Sequence, residues 1–338
     1  MSKIVTAVML GVLAAASLTG CSKGGGKADV AGPSSTPAGP SATSPAASPS
    51  VPVTTPTLLP KGGASTPPNA STPNGTPNGR CSGPSAPNCT GVPAGLKLKE
   101  MAPTSSDGGY VLKKAGAVYD GVHFRGDVLI AAENITIKNS LVDLAVRNEL
   151  AGHYYSFVLL DSTVGPAGSC QGNDGIGRAR YYAQGVLLRG HTSGFMDSGD
   201  DITIRDSYVK NCSYDPSNHV GGIQAFEPGQ NLVVDHTTFD QYKVDGDTAP
   251  IFLYDSAGGT IKNVSVTNTL FLGGTYSFQL KRAAGRLVVK GNSVVNGTWD
   301  YAPVEAQCAD IDWSGNKVVT IDSNYRITSV VRSLPCAS

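Results

Sequence analysis

The sequence predicts an all-β fold, a single-stranded right-handed parallel β-helix over residues 93–338, behind a disordered tether. Three observations predict this solenoid: an eight-residue strand–corner–strand pattern recurs, a short second strand precedes most copies, and no stretch has convincing helical periodicity. Alternating apolar residues at positions one and three turn one side of each strand inward. The copies begin at Ile135, Phe157, Ile202, Leu232, Val264, Leu287 and Ile311.

The fifth position of each copy predicts a corner in the backbone. Asn, Asp and Gly adopt a left-handed conformation at low cost, and they occupy most of these positions. The corner residues are Asn139, Asp161, Asp206, His236, Asn268, Gly291 and Gly315. Parallel crossovers are right-handed almost without exception, and copies spaced 22 to 45 residues apart fit coils with loops of variable length. A β-sandwich is the competing architecture, but the Asn-Gly hairpins that it favours do not recur between these repeats.

The first 20 residues predict a secretory signal. An apolar run over residues 4–18 follows Lys3 and is too short for a comfortable membrane span. Leu18-Thr19-Gly20-Cys21 resembles the bacterial lipobox, which implies cleavage before Cys21 and acylation of its thiol. The resemblance implies a secreted protein held by lipid at the bacterial cell surface. An ordinary signal with a chance cysteine is the alternative.

Residues 21–92 predict a disordered linker. All 23 aromatic residues lie at or after Tyr110, whereas 15 of the 22 prolines precede Gly95. A segment without aromatic residues buries too little apolar surface to offset the entropy of ordering its backbone. A small folded domain is the alternative for this segment. We expect residues 93–117 to cap one end of the solenoid and the tail to Ser338 to cap the other.

The six cysteines beyond Cys21 predict disulfides in an oxidising compartment. Several pairings are open, and nearest neighbours are favoured: Cys81–Cys89, Cys170–Cys212 and Cys308–Cys336. No CxxC pair is present, which argues against zinc binding and thiol redox catalysis. A net charge of zero, with 15% charged residues, argues against a nucleic-acid partner.

Three segments resemble secreted bacterial proteins of the right-handed β-helix, or pectate-lyase-like, superfamily. They are GVPAG at 91–95, AVYDG at 117–121 and NITIKNS at 134–140. The resemblance covers about residues 91–338 and implies the β-helix fold. It does not imply one activity, because the superfamily contains polysaccharide lyases, hydrolases, epimerases and non-catalytic proteins.

One motif of the superfamily departs from its usual form here. Relatives often carry H-x-D-G-I-Q, followed by a strand that ends in H-N-T. This chain has HVGGIQ at 219–224, so that Gly221 replaces the aspartate, and His236 begins the later match. A catalytic or metal-binding role built on that carboxylate is therefore in doubt. His236 also occupies a corner position, which favours a structural role for it.

The strands before the repeats predict an outward stripe of polar and aromatic side chains. Stacking in register would turn Ile223, Ile251, Phe278 and Val304 inward and their neighbours outward. Aromatic rings stack on sugars and amides bind hydroxyls, so the stripe predicts an extended polysaccharide groove. The substrate-binding candidates are Arg189, Gln224, Phe226, Phe252, Tyr254, Gln279 and Gln307.

Charged residues in the stripe and at its strand ends are the catalytic candidates. β-Elimination on a uronic acid needs a base, Lys281 or Arg282, and a cation, which Glu227 and Asp255 would hold as Ca²⁺. Hydrolysis needs two carboxylates on opposite sides of the bond, among Glu227, Asp255 and Glu305. The acidic turn at 197–201 is a further Ca²⁺ candidate; no cofactor is expected otherwise. Ordinary solvated residues on an exposed sheet are the alternative interpretation of the whole stripe.

Motifs for several other enzyme classes are missing from the chain. It contains no GxSxG, HExxH or GxxxxGK[ST], so α/β-hydrolase, zincin and P-loop chemistry lack support. We expect a monomeric cell-surface lipoprotein that binds or processes an extracellular polysaccharide or cell-wall glycan. A structural or adhesive cell-envelope protein without an enzymatic site is the alternative.

Overall fold

The computed structural model describes residues 81–217, 219–253, 260–281 and 283–337. These residues form an all-β fold in which parallel strands of successive coils stack into three faces, called A, B and C. In each coil the chain passes through face B, then face C, then face A. This is the parallel β-helix that the repeat predicts. The signal, the lipobox cysteine and the linker up to residue 80 lie outside the described residues.

Face A consists of the strands that open each repeat. Its parallel strands are Val118–Asp120, Ile135–Lys138, Phe157–Leu160, Tyr181–Gln184, Asp200–Arg205, Gly229–Asp235, Ile261–Thr267, Ala283–Lys290 and Ile311–Ser314. The first residue of one copy pairs with the first residue of the next, for example Phe157 with Ile135. A further copy, YYAQGVLL at 181–188, occupies the long interval after Phe157. That interval therefore holds two coils, as its length suggests.

Face B follows each corner, and face C precedes each strand of face A. Face B contains Lys99–Glu100, Val122–Phe124, Leu141–Val142, Thr163–Val164, the start of Leu187–Asp197, Tyr208–Asn211, Thr238–Asp240, Leu270–Leu272, Ser293–Val295 and Lys317–Ile321. Face C contains Tyr110–Leu112, Val128–Ile130, Val146–Arg147, Gln171–Gly177, the end of Leu187–Asp197, Val220–Ala225, Asp247–Leu253, Gln279–Leu280 and Glu305–Ala306. A short hairpin, Glu149–Leu150 with His153–Tyr154, and a 3-10 turn, Cys308–Asp310, complete the described elements.

The corner between faces A and B has a left-handed backbone at every repeat. All seven predicted corner residues have positive φ, from 42° at Asp161 to 68° at Gly291. Gly121 and Gly185 occupy the same position in two further coils, with φ of 65° and 68°. The prediction from the fifth position is thus confirmed.

A buried ladder of hydroxyl and amide side chains follows the corner, at position six of the repeat. The backbone N–H of Ser140 donates to Ser162 Oγ, and that hydroxyl donates to the carbonyl of Leu160. The members of the ladder are Ser140, Ser162, Ser207, Thr237, Thr269, Asn292 and Asn316. Each is at most 4% exposed. The ladder satisfies backbone groups that the corner removes from the sheets, and each such bond contributes about 1 kcal/mol.

The core runs through the solenoid between the three faces. It is built from aliphatic residues and from rings of successive coils, such as Phe239 and Phe271, whose centroids lie 5.8 Å apart. Ile223, Ile251, Phe278 and Val304 are all buried in it, as the alternation predicts.

The N-terminal boundary differs from the predicted one. Residues 81–92, called the N-terminal clamp, pack against the solenoid, and Ser85 and Ala86 are buried there. The N–H of Gly91 donates to Gly185 O, and that of Val92 donates to Thr163 Oγ1. The prediction that the linker extends to residue 92 is therefore wrong for this segment, because long-range hydrogen bonds order a stretch without aromatic residues.

The predicted N-terminal cap is also different. Within residues 93–117, Lys99–Glu100 pairs in parallel with face B, and Tyr110–Leu112 pairs in parallel with face C. The segment is therefore part of the first coil. At the other end, Ile327–Ser333 pairs antiparallel with Lys317–Ile321. Residues 321–337, called the C-terminal arm, cover an outer cluster of Leu270, Leu272, Val295 and Val319 on face B.

The three disulfides connect Cys81 with Cys89, Cys170 with Cys212, and Cys308 with Cys336. The nearest-neighbour pairing is confirmed. The first closes the N-terminal clamp, and the third holds the C-terminal arm. The second joins the loops that follow Thr163–Val164 and Tyr208–Asn211, on either side of the coil that contains Leu187–Asp197.

Candidate functional site

The predicted stripe stacks in register on face C. Gln224 lies opposite Phe252, Phe252 opposite Gln279, and Gln279 opposite Glu305. Two of these side chains are nevertheless buried, since Gln224 is 2% and Gln279 7% exposed. The stripe is therefore not the open row of outward groups that alternation alone predicts.

Gln224 is held by its surroundings. Its Oε1 accepts from Ser193 Oγ at 2.8 Å, and its Nε2 donates to His219 O at 3.1 Å. A Cβ at Gly221 would lie 2.4 Å from Cγ of Gln224. The amide side chain of Gln224 therefore occupies the space that a side chain at position 221 would need.

The described carboxylates of the stripe are each engaged by a neighbour. Glu305 accepts from Gln279 Nε2 at 2.6 Å and pairs with Lys281 Nζ at 3.1 Å. Glu227 accepts from Tyr154 OH at 2.9 Å, and burial, followed by this bond, raises the pKa of Tyr154 to about 12. The two carboxylates therefore have different partners.

The other stripe candidates divide into two groups. Phe226 is 53% exposed and follows the strand Val220–Ala225, and Gln307 is exposed at the end of Glu305–Ala306. Phe252 is partly buried. Tyr254, Asp255 and Arg282 lie outside the described residues.

Arg189 is on a different face from the rest of the stripe. The strand around it pairs Arg189 with Lys210 on face B, because Gly185 is a corner and not the start of a face C strand. Its prediction as a neighbour of Gln224 was wrong. The segment at 185–189 was predicted as the strand that precedes the third copy, whereas it forms the corner and the face B strand of the further copy at 181–188.

A groove of ≈ 580 Å³ lies on face B around Arg189. Its floor is formed by strands Leu187–Asp197 and Tyr208–Asn211, and the loop 166–170 and Pro87 of the N-terminal clamp border it. The lining residues are Pro87, Pro166, Ala167, Gly168, Ser169, Cys170, Leu187, Arg189, Gly190, Tyr208, Lys210, Asn211 and Cys212. The Cys170–Cys212 disulfide therefore fixes part of the groove wall.

Asp240 organises the side of this groove nearest the C-terminal arm. One carboxylate oxygen accepts from Tyr325 OH at 2.7 Å and from Tyr208 OH at 3.1 Å. The other accepts from Lys210 Nζ at 2.8 Å and from the N–H of Tyr242. Burial, together with Asp240, raises the pKa of Tyr208 and raises that of Tyr325 to about 12, so both phenols stay protonated as donors.

Four residues in or beside this groove were not among the predicted site residues: Tyr208, Lys210, Asp240 and Tyr325. A signal for the first three exists, because positions seven and nine of the repeat point outward on face B. Tyr208 and Lys210 hold these two positions in their copy, and Asp240 holds position nine in the next. Tyr325 has no such signal, since it follows the last repeat and reaches the groove by a contact over 85 residues.

Exposed tyrosines stand on the loops from face B to face C. Tyr214 is 66%, Tyr242 42% and Tyr301 74% exposed, and they belong to the loop segments 212–217, 241–246 and 296–304. These loops follow the face B strands Tyr208–Asn211, Thr238–Asp240 and Ser293–Val295, which stack along the solenoid axis. We call the three residues the tyrosine edge. Tyr276 meets Tyr301 edge-on at 5.8 Å.

The acidic turn at 197–201 does not form a visible metal site. Asp197 is 1% exposed and neither carboxylate oxygen has a hydrogen-bond partner among the described residues, whereas Asp200 and Asp201 are exposed. Burial, with a smaller effect of Asp200, raises the pKa of Asp197 to about 8. Within the described ranges no three His, Cys, Asp or Glu side chains are grouped as metal ligands. The geometry therefore gives Ca²⁺ no support at this turn.

The comparisons with known proteins give no relative. No family model matches the chain, and no curated protein or solved structure is significantly similar to it. In the part of the chain that the structure describes, no helix has the length and apolar character needed to cross a membrane.

Proposed function

We propose that this protein is a cell-surface glycan-binding protein, in which an extended polysaccharide lies along the tyrosine edge. The observation that carries the proposal is the position of Tyr214, Tyr242 and Tyr301 on loops of one side of the solenoid. Large rings that stay exposed in water are typical of binding surfaces. Parallel strands are about 4.8 Å apart, so rings on stacked coils can contact different parts of one linear polymer.

A lipid anchor at Cys21, followed by an extended linker, would place such a surface away from the membrane. Both features belong to the sequence prediction and are part of the proposal. Binding without catalysis is favoured over lyase or hydrolase activity, because Glu227 and Glu305 are each held by a partner that would have to be displaced.

The test is binding of the protein to a panel of extracellular polysaccharides, measured by affinity electrophoresis and calorimetry. Covering about 50 Å² of ring surface contributes about 1 kcal/mol, so Tyr301→Ala should weaken binding about fivefold. Tyr242→Ala should have a similar effect. Phe226→Ala is the matched control, since Phe226 is also an exposed ring but lies after a face C strand, where the chain turns from face C to face A.

Two results would contradict the proposal. If the affinity is unchanged in both tyrosine variants but falls in Phe226→Ala, the glycan binds at the stripe on face C instead. Release of unsaturated uronides or reducing ends from a member of the panel would show that the protein is an enzyme.

A further inference from the structure

The groove on face B contains an arginine that has no acidic partner. Among the described residues no carboxylate lies within ion-pair distance of Arg189, and its hydrogen bond is a long one, from Nε to Gly165 O at 3.4 Å. None of the lining residues of the groove is acidic. The guanidinium plane offers several N–H groups in a fixed arrangement that matches an oxyanion.

The second cation of the groove is already neutralised. Lys210 Nζ pairs with Asp240 at 2.8 Å, and Asp240 is fixed further by the two phenols. The groove therefore has a net positive charge that comes from Arg189. An anionic group that enters it gains a charge-assisted hydrogen bond without breaking an existing ion pair.

We propose that this groove is a binding site for an acidic substituent of the glycan, a carboxylate, sulfate or phosphate held by Arg189. The proposal rests on the proposed function and names the ligand chemistry of one part of that surface. Pro87 and Pro166 provide apolar walls for the sugar ring that bears the substituent. A volume of ≈ 580 Å³ is within the usual range for small-ligand sites.

The groove adjoins the loop that carries Tyr214 of the tyrosine edge. Cys212 lines the groove, and Tyr214 follows two residues later in the same loop. Farther along, the edge is acidic: Asp245 and Asp300 are exposed near Asp247, whose pKa is raised by burial and then by these two residues. Lys243, whose Nζ lies 5.1 Å from the ring centroid of Tyr242, offsets only one of these negative charges, so a polymer with a charge on every sugar would be repelled there. The surface therefore fits a largely neutral glycan with a sparse acidic substituent.

The test compares Arg189→Met with wild type, using short oligosaccharides that carry one carboxylate, one sulfate, one phosphate or no charge. Arg189→Met should weaken binding of at least one charged probe about 10–100-fold and leave the neutral probe unchanged. Arg189→Lys should retain part of the affinity. Arg286→Met is the control, because Arg286 is exposed on another part of the solenoid.

The outcomes separate this site from the proposed function. Equal binding of charged and neutral probes, with no effect of Arg189→Met, would overturn the acidic site. If Tyr301→Ala still weakened that binding, the proposed function of the tyrosine edge would stand. Tighter binding of a fully charged polymer than of a sparsely charged one also overturns it. Binding of the charged probes alone, lost in Arg189→Met and unaffected by Tyr301→Ala, supports the acidic site and overturns the edge.

A second inference concerns His236, which holds the N-terminal clamp. Its Nδ1 lies 2.8 Å from Asp206 Oδ1, and its Nε2 lies 2.8 Å from the carbonyl oxygen of Gly83. A carbonyl cannot donate, and Asp206 already accepts from Gln184 Nε2 through its other oxygen. Both ring nitrogens must therefore donate, which requires the imidazolium form.

We infer that His236 is a pH-sensitive latch for the clamp. Asp206 and, more weakly, Asp235 are the charged groups that face the ring; the clamp contains no Asp, Glu, Lys, Arg or His, and Asn268 of the following coil is neutral. Loss of the proton leaves one N–H for two acceptors. The contact to Gly83 or to Asp206 is then lost, and the clamp, which contributes Pro87 to the groove, is held less firmly.

Amide hydrogen exchange of residues 83–92, corrected for intrinsic rates, tests the latch between pH 5 and pH 9. The pKa of His236 is raised, mainly by its hydrogen bond with Asp206. The protection of these amides against exchange should therefore fall about 10–100-fold as the pH rises through the pKa of His236. His236→Gln should show lower protection without this dependence, and His153→Gln should behave as wild type. Protection that is independent of pH, or a fall of equal size at the core amide of Val234, would overturn the inference.

Discussion

Replacing Asp197 by Asn should stabilise the protein at neutral and alkaline pH. The side chain is 1% exposed, and neither oxygen has a hydrogen-bond partner among the described residues. Burial raises its pKa from 3.8 to about 8. Each pKa unit corresponds to about 1.4 kcal/mol, so keeping the folded carboxyl protonated at pH 7 costs about 4 kcal/mol relative to the ionised group in the unfolded chain.

The sign follows from the direction of the shift. A raised folded pKa gives stability that is complete below the unfolded value and is lost as the pH rises towards the folded value. Asn does not titrate, and Asn148 shows that an amide can be satisfied at this corner. Val146 and Phe195 both pair with Ile176, and Asn148 and Asp197 lie two residues after them, at equivalent positions of their coils. Asn148 donates hydrogen bonds to Tyr155 O and Ala179 O.

The measurement is urea unfolding of wild type and Asp197→Asn, with disulfides intact, at pH 5 and pH 8. The difference in free energy of unfolding between variant and wild type should increase by about 4 kcal/mol over this interval. Asp310→Asn, an exposed substitution, should show no such change. An equal difference at both pH values would refute the assignment of a protonated Asp197, whatever the absolute stabilities.

Three further changes test other parts of the fold. Tyr325→Phe removes the hydroxyl that holds the C-terminal arm at the groove and should cost about 1–3 kcal/mol, with faster proteolysis of the arm. Gly221→Ala places a Cβ 2.4 Å from Gln224 and should lower the thermal midpoint, whereas the double variant with Gln224→Ala should recover part of the loss. Cys336→Ser opens a loop of 28 residues and should cost about 4 kcal/mol in chemical denaturation; an unchanged midpoint would show that the arm is stable without its disulfide.

The strands and corners could be predicted because their causes are local. Alternation places Ile223 and Ile251 in the core irrespective of what surrounds the coil, and a left-handed corner needs a residue such as Asn139 or Asp161 at one fixed position. The disulfide pairing was also within reach, since neighbouring cysteines close short loops.

The candidate site could be predicted only in part. Alternation identifies which side chains leave the core, but not whether another segment covers them. Gln224 points away from the core and is still buried. Arg189 has the chemistry of a binding residue, but it was predicted on the wrong face because the copy of the repeat at 181–188 was not recognised.

The sequence by itself determined the solenoid, its register and its corners, because these depend on residues a few positions apart. The tertiary structure decided where a ligand can bind. Ser85 meets His236 across 151 residues, and Tyr208 meets Tyr325 across 117 residues. Such contacts depend on how both terminal segments fold back on face B, and a repeat pattern contains no information about segments outside the repeat.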